Sequence, residues 1–208
     1  MKSMKYKIPF ESKLLDFGCG PGIMSEFFGE NYIGIDIDKT RINYAIQKYP
    51  DKTFILTAPN NYILPFPDNY FEIILFNDTL HHIDNDTISR LLPELNRILK
   101  KGGFIIIREP KKDTNIFTYF ITELFENGNY VRTSQEYKNI FESFDIVSEI
   151  SNNEIIREYY VLIVKNIKNN NTYKDFTKTI KMDRYIMNFI VGVLFIISVK
   201  YISTHIYN

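Results

Sequence analysis

One cysteine, Cys19, stands in the 208 residues, so no intrachain disulfide is possible and a reducing compartment is the natural setting. No Cys/His cluster has metal-ligand spacing; a divalent ion would have to make do with Asp78, His82 and Asp84. Neither sign of charge is in excess, with 25 Lys+Arg against 25 Asp+Glu and a pI of about 6.8. That balance lacks the basic footprint of a nucleic-acid binder and argues against such a partner. Tryptophan is absent, which carries no functional content. The N-terminus has no apolar run beyond Ile8–Phe10, so no signal peptide is expected. Nothing repeats internally.

What is present is a chain 45% hydrophobic, enough for one domain with a sizeable core and some extra. Its organising stretch is Leu14-Leu15-Asp16-Phe17-Gly18-Cys19-Gly20-Pro21-Gly22. Two apolar residues lead into an acid, glycines fall at 18, 20 and 22, and a helix-like run follows, near 22–29. This reads as a buried strand, a tight turn and a helix start whose unpaired N–H groups face the turn. Glycines suit such a turn because they accept positive φ and let a ligand approach the backbone. A plain βα turn without a ligand would use the same residues. Further on, Tyr32-Ile33-Gly34-Ile35-Asp36-Ile37-Asp38 forms a second short strand ending in acids. A carboxylate at that strand end is placed to take both hydroxyls of a ribose.

The spacing G-x-G-x-G after Asp16 differs from the dinucleotide pattern G-x-G-x-x-G. With Leu64-Pro65-Phe66-Pro67-Asp68, Leu80-His81-His82 and Leu99-Lys100-Lys101-Gly102-Gly103 in order, the chain resembles the class I S-adenosylmethionine (SAM)-dependent methyltransferases. It looks closest to the small-molecule subgroup, and the resemblance runs from Lys13 to about Lys165. It implies a Rossmann-like, doubly wound, mostly parallel seven-stranded α/β sheet, with SAM as cofactor. Asp16, Gly18, Gly20 and Gly22 would then lie around the methionine part, Asp36 on the ribose, and Asn77 among the cofactor's contacts. Asp38 reads as a helix cap. The family's usual acid after the third strand is missing. Thr57-Ala58 stand there instead, and Asn60 or Asn61 is the substitute that remains for the adenine.

Short apolar runs alternate with amphipathic ones from Lys13 onward, as in a parallel α/β sheet. Strands are predicted near 13–17, 32–36, 53–57, 71–76 and 103–108, and helices near 22–29, 39–48 and 86–99. Asp86 is the expected cap of the last, and Pro93 is expected to bend or offset it. Lys100 to Gly103 should end it. Asn115–Glu126 either covers the substrate or packs on the sheet as an ordinary helix. Ser134–Phe141 reads as a crossover helix. Phe144–Ile150 and Ile155–Val164 read as closing strands about a turn at Ser151–Glu154. The resemblance makes the last of these an antiparallel seventh strand.

Methyl transfer needs a fixed cofactor, an aligned acceptor and often a base for the acceptor's proton. His81 and His82 follow the fourth strand, on the sheet edge where ligands bind, and a neutral imidazole suits the base. Adjacent side chains diverge, so one His at most faces the acceptor; the other role open to His82 is to shape the pocket. Glu109, at the fifth strand's end, either orients a histidine or pairs at the surface with Arg108 or Lys111. The acceptor is read as a small or lipid-linked molecule, most simply a hydroxyl. C- or N-methylation of a quinone-like or other lipid acceptor, and SAM sensing without turnover, are the alternatives.

Residues 1–12 read as an arm, 13–165 as the methyltransferase domain and 166–184 as a polar, basic linker. Tyr185–Val199 is apolar and uncharged, and counting on to Ile206 past Lys200 gives a plausible span of about 22 residues. Cations before it and tyrosines at both ends suit a membrane anchor, with the catalytic domain on the cytoplasmic side. A dimerising or core-capping helix is the other reading.

Overall fold

The computed structural model describes residues 12–59, 62–113, 129–153 and 158–166. The apolar runs become seven strands of one sheet: β1 (Leu14–Phe17), β2 (Tyr32–Asp36), β3 (Thr53–Leu56), β4 (Phe71–Asn77), β5 (Leu99–Pro110), β6 (Asp145–Asn153) and β7 (Glu158–Lys165). Their order is β3-β2-β1-β4-β5-β7-β6. Pairs from β3 through β5 are parallel, and β7 lies antiparallel between β5 and β6. The order reverses beside β1, between β2 and β4, which opens the crevice where an open α/β sheet binds ligands.

Side-chain alternation along each strand fills two cores. On one face Leu15, Ile74, Phe76, Ile105, Ile107, Leu162 and Val164 pack with helices α2 (Asn85–Ile98) and α3 (Ser134–Ile140). On the other, Leu14, Ile73, Leu75, Ile106 and Ile163 pack with Ile42 and Ala45 of α1 (Lys39–Lys48). Helix α2 buries Ile88, Leu91, Leu95 and Ile98, each contributing about 1.5–3 kcal/mol of transfer free energy. Leu95→Ala alone would cost about 2–5 kcal/mol. Asp38 caps α1, accepting from the N–H groups of Thr40 (2.8 Å) and Arg41 (3.2 Å).

Several expectations need correction. The cap of α2 is Asp84, whose carboxylate accepts from the Thr87 N–H and hydroxyl, both at 2.8 Å; Asp86 lies in the first turn. The run after the glycines is a five-residue 3₁₀ turn, Ile23–Phe27, with no α-helix. Ser25 favours the tight turn, its hydroxyl donating to the Gly22 carbonyl at 2.6 Å, a local bond that competes with α-helical pairing. No α-helix N-terminus therefore stands directly behind the glycine turn. The fifth strand starts at Leu99 directly after α2, and Gly102 (φ +76) lies inside it. β6 continues through Asn153, so three of the four residues predicted as a turn, Ser151–Asn153, are strand. Asn60, Asn61, Asn115–Glu126 and the 185–206 tail lie outside the described residues.

The Leu64–Asp68 motif is part of the scaffold. Leu64 and Phe66 are buried in the core, and Arg97 of α2 ties the loop down through Asp68 (2.6 Å) and the Leu64 carbonyl (3.2 Å).

Candidate active site

The C-terminal ends of β1, β2, β4 and β5 are adjacent, and the sheet thereby gathers the described candidate site residues on one edge. Asp16 on β1 pairs in register with Gly34 of β2 and Leu75 of β4, and it is buried. The Tyr32 hydroxyl donates to its carboxylate at 2.5 Å. Burial is the main cause that pushes the Asp16 carboxyl up to about 7; Asp36 adds to it, and the Tyr32 bond opposes it.

The turn after β1 is held by the backbone. The N–H groups of Gly18 and Cys19 both donate to the Ile35 carbonyl, at 2.8 and 2.9 Å. Gly18 has φ +75, and a Cβ there would stand 2.3 Å from Thr79 Cγ2. Only glycine allows β1 and β4 to come that close above the sheet. Gly22 has φ +78, and a Cβ there would stand 2.8 Å from the Phe54 ring. Cys19 is buried, and its thiol is pushed well above the ordinary range chiefly by burial, so it behaves as an inert small filler. Asp36 accepts from the Gly20 N–H (2.8 Å) and the Asp38 N–H (2.9 Å). These bonds lock its carboxylate against the glycine turn and leave lone pairs for further donors. Beside it Ile37 is 59% exposed, an apolar side chain at the same strand end.

After Asn77, Asp78 takes φ +54 and turns the chain out of β4. Asp78 pairs with the buried Arg108 at 2.7 Å, and the guanidinium lies 3.5 Å from the Tyr159 ring centroid. Asn77 Oδ1 is buried without a hydrogen-bond partner among the described residues. Such an acceptor is costly unless a donor arrives.

Leu80–His82 form a 3₁₀ turn. Glu109, fully buried, reaches under it from β5. One oxygen accepts from the Thr79 and Leu80 N–H groups (2.8 and 2.7 Å). The other accepts from the His81 N–H (3.3 Å) and stands 2.6 Å from His81 Nδ1. His81 is buried and His82 is exposed, with ring centroids 4.1 Å apart. The structure thus joins Glu109 to His81 and leaves His82 facing outward. Glu109 is buried and pairs with His81, so among the described residues it forms no surface pair with Arg108 or Lys111. Among the described residues no group of three His, Cys, Asp or Glu side chains is arranged to hold a metal ion. No described helix is long and apolar enough to cross a membrane.

Arg132 was invisible to motif reading. It lies two residues before α3, buried, with its guanidinium against the carbonyls of the same histidine turn. No pattern in Tyr130-Val131-Arg132-Thr133 signals this; only the fold brings it there.

Residues 15–107 match the family model described as a methyltransferase domain. An uncharacterised protein of Methanocaldococcus jannaschii is 29% identical over 184 residues, covering 88% of this chain and 79% of that one. The ubiquinone/menaquinone biosynthesis C-methyltransferase of Campylobacter jejuni is 26% identical, over 71% of this chain and 60% of its own. The phosphoethanolamine N-methyltransferase of wheat is 25% identical, over 70% of this chain and only 30% of its own. A SAM-dependent methyltransferase structure from Methanosarcina mazei superposes with TM-score 0.64 at 20% identity, covering 76% of this chain and 93% of that one. It is similar in fold. The glycine cradle and the unpartnered Asn77 acceptor fit the cofactor of such proteins.

Proposed function

We propose that this chain is a class I SAM-dependent methyltransferase, a reading supported by the methyltransferase-domain match over residues 15–107, and that it methylates a hydroxyl of a small or lipid-linked acceptor, with His82 as the base. SAM supplies the methyl group when bound. Asp16, Gly18, Gly20, Gly22 and Asn77 hold its methionine end, Asp36 its ribose, and Ile37 offers an apolar face to the purine. His82 takes the acceptor's proton, and His81 with Glu109 keeps the turn in place beneath it.

One observation supports this reading most: an exposed imidazole on a turn anchored by a buried carboxylate, directly beside the glycine turn. The Thr79 hydroxyl links the two turns by donating to the Gly18 carbonyl at 3.3 Å. The test is formation of S-adenosylhomocysteine with panels of alcohols, phenols, amines and quinols, some presented in detergent. Product from alcohols or phenols alone supports the reading, and product from amines alone overturns it.

A second reading, N-methylation of an amine, is favoured by Asp78. Its carboxylate is 35% exposed on the same turn, and a cationic acceptor would meet it. The similarity to phosphoethanolamine N-methyltransferases points the same way. A membrane role for the 185–206 tail is part of the proposal for a lipid-linked acceptor. Full-length chain retained on membranes through a carbonate wash, with a chain ending at Asn171 released, is the expected result.

A further inference from the structure

Glu109 satisfies the N–H groups of the histidine turn, and its C=O groups need a holder of the opposite kind. Arg132 supplies it. Nη1 donates to the Leu80 carbonyl at 2.8 Å and to the Tyr130 carbonyl at 2.9 Å. Nη2 donates to the Ile83 carbonyl at 2.6 Å. Nε and Nη2 both donate to Asn85 Oδ1, at 3.0 and 2.7 Å. The Tyr130 N–H adds a bond to the His81 carbonyl at 3.0 Å. A buried carboxylate therefore grips the turn from the donor side and a buried guanidinium from the acceptor side, with His82 on the stretch between them.

We infer that Arg132 is a positioning residue for methyl transfer, acting with Glu109 as a two-sided clamp that fixes where the His82 imidazole points. The inference rests on His82 being the base. Arginine is specific for the task, because a planar fork reaches carbonyls spread over Leu80, Ile83 and Tyr130, and the single ammonium of lysine does not. Fixing a base to within a fraction of an ångström is what separates a reactive geometry from a slack one.

The test needs no acceptor. Amide hydrogen exchange is followed by NMR at Leu80–Ile83 and Tyr130, with Leu75 and Ile106 of the central strands as the internal reference, in wild type, Arg132→Lys and Asn85→Ala. Arg132→Lys should speed exchange across Leu80–Ile83 by about tenfold or more, the scale of one lost charge-assisted hydrogen bond, with Leu75 and Ile106 unchanged. Asn85→Ala, which removes only a surface-exposed partner of the guanidinium, should give a smaller change of the same pattern and keeps the test open if the lysine variant folds poorly. SAM affinity by calorimetry should stay within about twofold. Unchanged exchange at Leu80–Ile83 in both variants, or equal acceleration at Leu75 and Ile106, would overturn the clamp. Failure of the base reading looks different: a His82→Gln enzyme with full turnover would leave the exchange pattern intact and remove only its catalytic meaning.

Discussion

Replacing Glu109 by alanine removes the acceptor for three backbone N–H groups and one imidazole, all inside the protein. Each buried donor left without a partner costs about 1–3 kcal/mol. The Thr79 and Leu80 bonds are short, the His81 amide bond is long at 3.3 Å, and the turn can relax toward water. A loss of about 3–5 kcal/mol in unfolding free energy is therefore expected, against a total of roughly 5–15 kcal/mol for a domain. Glutamine separates charge from shape. Its amide oxygen still serves Thr79 and Leu80, while its NH₂ faces two groups that donated to the carboxylate, so the imidazole must change tautomer and the His81 N–H loses its acceptor. About 1–2 kcal/mol is expected there. Urea denaturation of the three proteins measures both values. An alanine variant within about 0.5 kcal/mol of wild type would refute the cage, as would a glutamine variant as damaged as alanine.

Asp36→Asn should weaken SAM by about 1–3 kcal/mol in calorimetry, since the amide has only one acceptor oxygen for Gly20, Asp38 and the ribose; unchanged affinity would remove Asp36 from the site. Asp16 predicts a pH effect. Its folded carboxyl is pushed up to about 7, mainly by burial, from an ordinary 3.8, so the folded state binds this proton more tightly than the unfolded state. Its contribution to stability is then fully present below about pH 4 and falls as pH rises toward 7. A cationic ligand beside Asp16 favours the ionised form, so SAM affinity should strengthen between pH 6 and 8 in wild type and stay flatter in Asp16→Asn. Parallel pH profiles for the two proteins would show that Asp16 does not sense the ligand.

The parts of this molecule that could be read in advance are those where one short stretch carries its own reason. Leu14-Leu15 before Asp16 and the glycines at 18, 20 and 22 announce a strand entering a tight turn, and β1 with positive φ at all three glycines is what forms. Asp38 was readable as a cap because its two partners lie within three residues. Long-range contacts were not readable. Which histidine turns inward depends on Glu109, 28 residues away, and the clamp depends on Arg132, 52 residues from the Leu80 carbonyl it bonds. The missing first helix follows from chain length: between Phe17 and Tyr32 the glycine turn and Gly29-Glu30-Asn31 leave room for one short turn. Lys52 closes that turn by donating to the Phe28 and Gly29 carbonyls, at 2.9 and 3.0 Å. Asp84 and Asp86 both stand where a cap is plausible, and only the backbone decides between them.

On the proposed function His82, held outward by the turn, takes the acceptor's proton. Single-turnover formation of S-adenosylhomocysteine by wild type and His82→Gln, with the best alcohol or phenol from the panel and SAM affinity measured in parallel, tests it most directly. The predicted result is a rate lower by about 10²–10⁴ in the variant, with SAM affinity unchanged. Equal rates in the two proteins would contradict the claim, and so would a wild type that binds SAM yet forms no product with any acceptor class.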